Sequence, residues 1–108
     1  METYELVLDA LGHSTRREIL DLVRRHPSSV QELADRLPIS RPAVSQHLKI
    51  LGDAGMVTAH AVGTRRVYTV TTDGFDVLRR WLDIVWRDAL DSFATFAEDH
   101  PDDQGEKQ

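Results

Sequence analysis

Two apolar stripes are separated by only three residues, Pro38-Ile39-Ser40, and that short break constrains the chain more than any other feature. Upstream, Val30, Leu33, Ala34 and Leu37 recur at helical spacing. Ser29 and Glu32 stand before them in the Ser-x-x-Glu capping pattern. Downstream, Val44, Leu48 and Leu51 form a second stripe behind Ser40, whose hydroxyl suits a helix N-cap. Pro42 falls in the first turn, where a missing N–H costs nothing. The second helix is expected to reach about Ala54 and stop at Gly55, with Gly52 weakening its last turn. Two short helices on so tight a turn have helix-turn-helix geometry.

The flanks extend this pattern. Tyr4, Val7, Leu8 and Leu11 mark a first helix, ended by Gly12. Thr15 and Glu18 repeat the capping pattern and open a helix to about Arg25, with Ile19, Leu20 and Val23 inward. His26-Pro27 stops it. MVTAHAV and RRVYTVT, joined at Gly63-Thr64, read as an antiparallel hairpin. A last helix spans about 74–98, and a polar tail, 99–108, is expected to fray. The fold class is mainly α with a small β-hairpin, in the order α-α-α-α-β-β-α. Residues 1–98 are expected to form one domain; at 108 residues its core is modest and a partner subunit would help.

Composition narrows the function. With no cysteine there is no disulfide, thiolate switch or cysteine-based metal site. No apolar run approaches the ~18 residues of a membrane span. METYELVLDA lacks the basic stretch of a secretory signal, so a cytoplasmic location is expected. The net charge of −5 is unevenly spread: residues 1–13 carry −3, residues 14–72 carry +4 and residues 73–108 carry −6. A basic middle can meet a polyanion while the acidic ends do something else. No spacing suggests a Ser/His/Asp set, paired catalytic carboxylates or a glycine-rich phosphate loop, so the chain does not read as an enzyme.

The helix after Ser40 divides cleanly. Opposite its apolar stripe lie Pro42, Ser45, Gln46 and Lys49, with Arg41 at the start. Gln pairs in bidentate fashion with adenine and Arg with guanine, while Ser serves either role. The N-terminal N–H groups at Ser40 favour a phosphate. Lys49, further along, suits the phosphate backbone. Thr64, Arg65 and Arg66 stand at the hairpin tip, where arginines fit a narrow, electronegative minor groove. A solvated helix face and a solvated hairpin end are the plain alternatives. The three parts together are more specific than any one.

On a wheel of about 100° per residue, Phe75, Leu78, Leu82, Val85, Ala89, Phe93 and Phe96 share one arc of the last helix. Trp86, Leu90 and Ala97 widen it on one side, and Val77, Trp81 and Ile84 on the other. This is roughly twice the width a surface helix needs. A homodimer is the preferred reading. Cover by the first helix of the same chain, or a ligand box of Trp81, Trp86 and Phe93, remains open.

LGHSTRREIL (11–20), VQELADRLPISRPAVSQHLKIL (30–51), DAGMV (53–57) and GTRRVYTV (63–70) resemble the ArsR/SmtB family of bacterial winged-helix repressors. The resemblance covers about residues 4–98. SRPAVSQHLK and the tryptophans of the last helix look most like its metal-independent, autorepressor-like branch. It implies a winged helix-turn-helix, dimerised through first and last helices, that binds a pseudo-palindromic double-stranded DNA operator and represses its own or an adjacent operon. Carried onto this chain, the DNA contacts are Ser40, Arg41, Pro42, Ser45, Gln46, Lys49, Thr64, Arg65 and Arg66, with helix 41–54 in the major groove and wing 62–66 at the minor groove. The dimer contacts are Tyr4, Leu8, Leu82, Val85, Trp86, Ala89 and Phe93. The chain departs from the family's sensors: it lacks the cysteines that bind arsenic, cadmium or lead, and residues 74–98 hold no histidine for zinc. His100 with Asp99, Asp102 and Asp103 would collect a metal only weakly, so no metal or other cofactor is expected. A small-molecule or protein effector is left open. The competing function is a winged-helix protein-interaction module without DNA binding.

Overall fold

The computed structural model describes residues 3–100. In chain order it contains α1 (Thr3–Leu11), α2 (Ser14–Arg25), α3 (Val30–Arg36), α4 (Arg41–Asp53), β1 (Val57–Val62), β2 (Arg65–Val70) and α5 (Asp73–Asp99). The expectation of a frayed tail past His100 lies outside the described residues.

The chain divides into two compact units, with the boundary after Leu78. In the first, the inward faces of four helices meet: Val7 and Ala10 of α1, Ile19, Leu20 and Val23 of α2, Leu33 of α3, and Val44, Leu48 and Leu51 of α4. Met56 and Val57 close this core at the start of the hairpin, and Tyr68, Val70, Phe75 and Leu78 pack along its edge. Within the described residues the second unit is the rest of α5, on which Leu82, Ile84, Val85, Trp86, Leu90, Phe93 and Phe96 are exposed.

Strands β1 and β2 pair antiparallel from Val57↔Val70 to Val62↔Arg65, leaving Gly63-Thr64 as a two-residue loop. Gly63 has φ of 63°, and among the described residues no non-glycine has positive φ. That pattern matches a II′ turn, in which glycine takes the first central position. On its free edge β2 gains one bridge: Ser28 N–H donates to Tyr68 O (3.2 Å) and Tyr68 N–H to Ser28 O (2.8 Å). The hairpin is therefore anchored to the segment that leads into α3.

One expected cap does not form. Helix α2 starts at Ser14, with extended His13 as its N-cap and no side-chain cap bond, so Thr15 lies inside the first turn. A different set of bonds holds this corner. Arg16 Nε donates to Ala10 O (2.9 Å), Arg16 Nη2 to Asp9 O (3.3 Å) and Arg17 Nη1 to Leu11 O (2.6 Å). Cations on the last carbonyls of α1 complement its dipole, and that tie fixes where α2 begins.

Candidate nucleic-acid interface

Helix α3 opens with the reciprocal cap expected from its sequence. Glu32 N–H donates to Ser29 Oγ (3.2 Å) and Ser29 N–H donates to Glu32 Oε1 (2.9 Å). Helix α4 opens with Ser40 Oγ accepting from Ala43 N–H (3.3 Å), and with Pro42 in its first turn. Ser40→Ala is expected to lower stability by about 1 kcal/mol, read as a shift in the urea midpoint with an unchanged m-value.

Val44, Leu48 and Leu51 are fully buried, which sets the rotation of α4 about its axis. Arg41, Pro42, Ser45, Gln46 and Lys49 are all exposed as a result. Lys49 Nζ meets Asp53 Oδ2 at 3.0 Å, one helical turn on. Ile50 is also 38% exposed, an apolar residue that the stripe pattern leaves unassigned.

Arg65 and Arg66 adjoin in sequence but meet different partners, because successive side chains of a strand leave opposite faces. Arg65 Nη2 forms an ion pair with Glu32 Oε1, the same oxygen that accepts the Ser29 N–H. The Arg66 guanidinium lies 5.9 Å from the Tyr68 ring centroid, within cation–π range. With Ser45, Lys49, Asp53 and Thr58, those two residues line a groove of about 310 Å³ between α4 and the hairpin. Thr64 lines a second hollow, of about 380 Å³, with His60 and both arginines. The Ser29 N–H bond, followed by the Arg65 charge, holds the Glu32 carboxyl below its ordinary range despite an opposing effect of burial. The Ser29–Glu32 cap is legible from spacing, but its link to Arg65 spans 33 positions and has no local signal.

His47 turns away from the exposed face of α4. It is half-buried, with its ring 5.0 Å from that of His13 and its Nδ1 3.4 Å from Arg16 Nη1. Burial, followed by the positive charge of His13 and Arg16, pushes its pKa down. Its surroundings are those of the core edge rather than of a phosphate contact. Arg16 thus touches both the end of α1 and the inner side of α4.

The α5 residues expected at a dimer contact are exposed: Leu82, Val85, Trp86, Ala89 and Phe93, with Trp86 63% open. Leu8 of α1 is 40% exposed and Tyr4 is half-buried. Among the described residues, no three His, Cys, Asp or Glu side chains are grouped to hold a metal ion. No helix among the described residues is long and apolar enough to cross a membrane.

The family model of the bacterial regulatory proteins of the arsR family matches residues 13–59, which run from the residue before α2 into β1. The HTH-type transcriptional regulator Rv2034 of Mycobacterium tuberculosis is 43% identical over 106 residues, covering 95% of this chain and 99% of that protein. This chain belongs to the ArsR family. Its structure is similar to that of an ArsR-like transcriptional regulator from Rhodococcus sp. RHA1, with a TM-score of 0.80, 30% identity, and 89% and 91% of the two chains covered. It is also similar to the homodimeric winged helix-turn-helix DNA-binding domain of Mb0332 from Mycobacterium bovis, with a TM-score of 0.62, 25% identity, and 84% and 82% covered. In this ArsR-family protein α3 and α4 are the helix-turn-helix, and β1 and β2 the wing. The family and the Mycobacterium tuberculosis relative are named as regulators, not as enzymes.

Proposed function

We propose that this ArsR-family protein is a homodimeric, sequence-specific DNA-binding regulator that represses its own or an adjacent operon. Helix α4 enters the major groove and wing residues 62–66 reach the minor groove. Residues 1–98 serve as the DNA-binding and dimerisation domain. Repression as the sign of control rests on the resemblance to the family's repressors.

The observation that carries this reading is the rigid presentation of one polar face. Three fully buried side chains lock α4, and the opposite face offers Arg41, Ser45, Gln46 and Lys49 to solvent beside a cationic hairpin. Gln46 and Arg41 supply base-edge hydrogen bonds, Ser45 serves as donor or acceptor, and Pro42 offers an apolar patch to a thymine methyl. Lys49, Arg66 and the positive end of the α4 dipole at Ser40 take phosphates. Two-fold docking sets half-sites about 34–36 Å apart. The Mb0332 relative, described as a homodimeric DNA-binding domain, supports the same assembly here.

The test is binding to the duplex upstream of the chain's own coding region, followed by selection from random sequences. Binding should weaken steeply with salt, and deleting the protein should raise transcription from a bound promoter. Absence of salt-sensitive binding to any selected duplex would reject the reading in favour of a protein-interaction module. Gln46→Ala is expected to relax preference at one base position by roughly tenfold. An equal loss on every sequence would contradict its base-reading role.

A further inference from the structure

Two of the cations at this interface already have anionic partners. Asp53 holds Lys49, and Glu32 holds Arg65. Arg41 and Arg66 form no ion pair among the described residues. We propose that Glu32 and Asp53 are internal counter-ions that DNA phosphates displace, and that they set the strength and salt dependence of DNA binding independently of sequence. This rests on the DNA-binding reading above.

Both pairs are open to solvent. The side chains of Lys49 and Asp53 are 76% and 63% exposed, and those of Arg65 and Glu32 are 54% and 41% exposed. Exposed pairs are individually weak, so a phosphate can replace the carboxylate. The carboxylates do not simply follow their cations. Glu32 is fixed at the start of α3 because its Oε1 also accepts the Ser29 N–H. Asp53 is the last residue of α4, in the wall of the groove shared with Lys49 and Arg66. When DNA takes Lys49 or Arg65, the carboxylate left behind gathers a cation from solution. That uptake offsets part of the cation release from DNA, so each pair flattens the salt dependence.

The pairs also separate the two wing arginines by role. Arg66 stands ready in the groove beside α4, whereas Arg65 must leave Glu32 to reach a phosphate. The acids lie on α3 and α4 themselves, so their effect needs no distant acidic segment.

The test uses fluorescence anisotropy with the full chain, the upstream duplex and a random-sequence duplex across a potassium chloride series. Glu32→Gln keeps an oxygen to accept the Ser29 N–H, and Asp53→Asn keeps the size of the side chain. Each variant should bind both duplexes roughly two- to fivefold more tightly at low salt. Each slope of log K against log salt should steepen by a fraction of the ~0.9 that one phosphate contact contributes. The gain from Glu32→Gln should vanish in an Arg65→Ala background, and that from Asp53→Asn in a Lys49→Ala background. An effect that survives loss of the cation is a general charge effect and overturns the proposal. Unchanged slopes in variants that bind DNA and melt like the parent overturn it alone. A parent that binds neither duplex overturns the DNA-binding reading and this proposal together.

Discussion

Gly74→Ala will destabilise the first unit by roughly 2–4 kcal/mol, a large part of the total for a chain of this size. Alanine in a helix is ordinarily favoured over glycine, so the expected sign is the reverse of the usual one. The cause is steric. A Cβ at Gly74 would lie 2.2 Å from Ala54 O, and 3.1 Å from both Gly55 C and Gly55 O. These are backbone atoms and cannot swing aside. Gly74 N–H also donates to Gly55 O at 2.7 Å, and forcing the strands of chain apart would stretch that bond. Gly55 is constrained in turn: its φ is +73°, and its own Cβ position is 3.1 Å from Gly74 N. The two glycines thus form the close crossing between the end of α4 and the start of α5. A thermal melt checks the prediction, with a fall in Tm of about 10 °C or more; a melt equal to the parent would show that the crossing can open at no cost.

Trp86→Asp combined with Phe93→Asp is expected to convert a dimer into a folded monomer. Both side chains are more than half exposed in the single chain, at 63% and 53%, so its own fold does not depend on them. With Leu82, Ile84, Val85, Leu90 and Phe96 they make a run of exposed large apolar residues along α5. An apolar surface of that extent marks an interaction site. Two carboxylates buried against a second copy would lack partners, at a cost no exposed pair can offset. Sedimentation at micromolar concentration should show a dimer for the parent and a monomer for the variant, with helical circular dichroism retained. Affinity for a two-half-site operator should fall by about 10²-fold or more, because linked half-sites act through effective concentration. A parent that sediments as a monomer would remove the dimer from the proposed function.

The elements most legible in the sequence are those whose determinants are local. Ser29 and Glu32, three residues apart, predict a capping box, and it forms. Ser40 and Pro42 predict the start of α4, and Gly63-Thr64 the hairpin loop. The buried stripe of Val44, Leu48 and Leu51 predicts which face of α4 stays exposed. Thr15 and Glu18 have the same spacing as Ser29 and Glu32, yet no cap forms, because the Arg16 and Arg17 bonds to α1 place α2's start two residues earlier. A local pattern yields where a longer-range tie is stronger.

By itself the sequence determined the order of the elements, the polar face of α4 and the cationic hairpin tip, since periodicity and capping act within a few residues. Only the tertiary structure decided what each charge at that face is doing. Arg65 and Arg66 read alike as a pair, but one meets Glu32 and the other Tyr68, because a strand turns neighbouring side chains to opposite faces and the fold supplies a different partner on each. The same holds for Gly74, which one-dimensional patterning marks as an indifferent helix residue. Its need for no side chain comes from a backbone crossing with Ala54 and Gly55, about twenty positions away in sequence and in contact only once the core has closed.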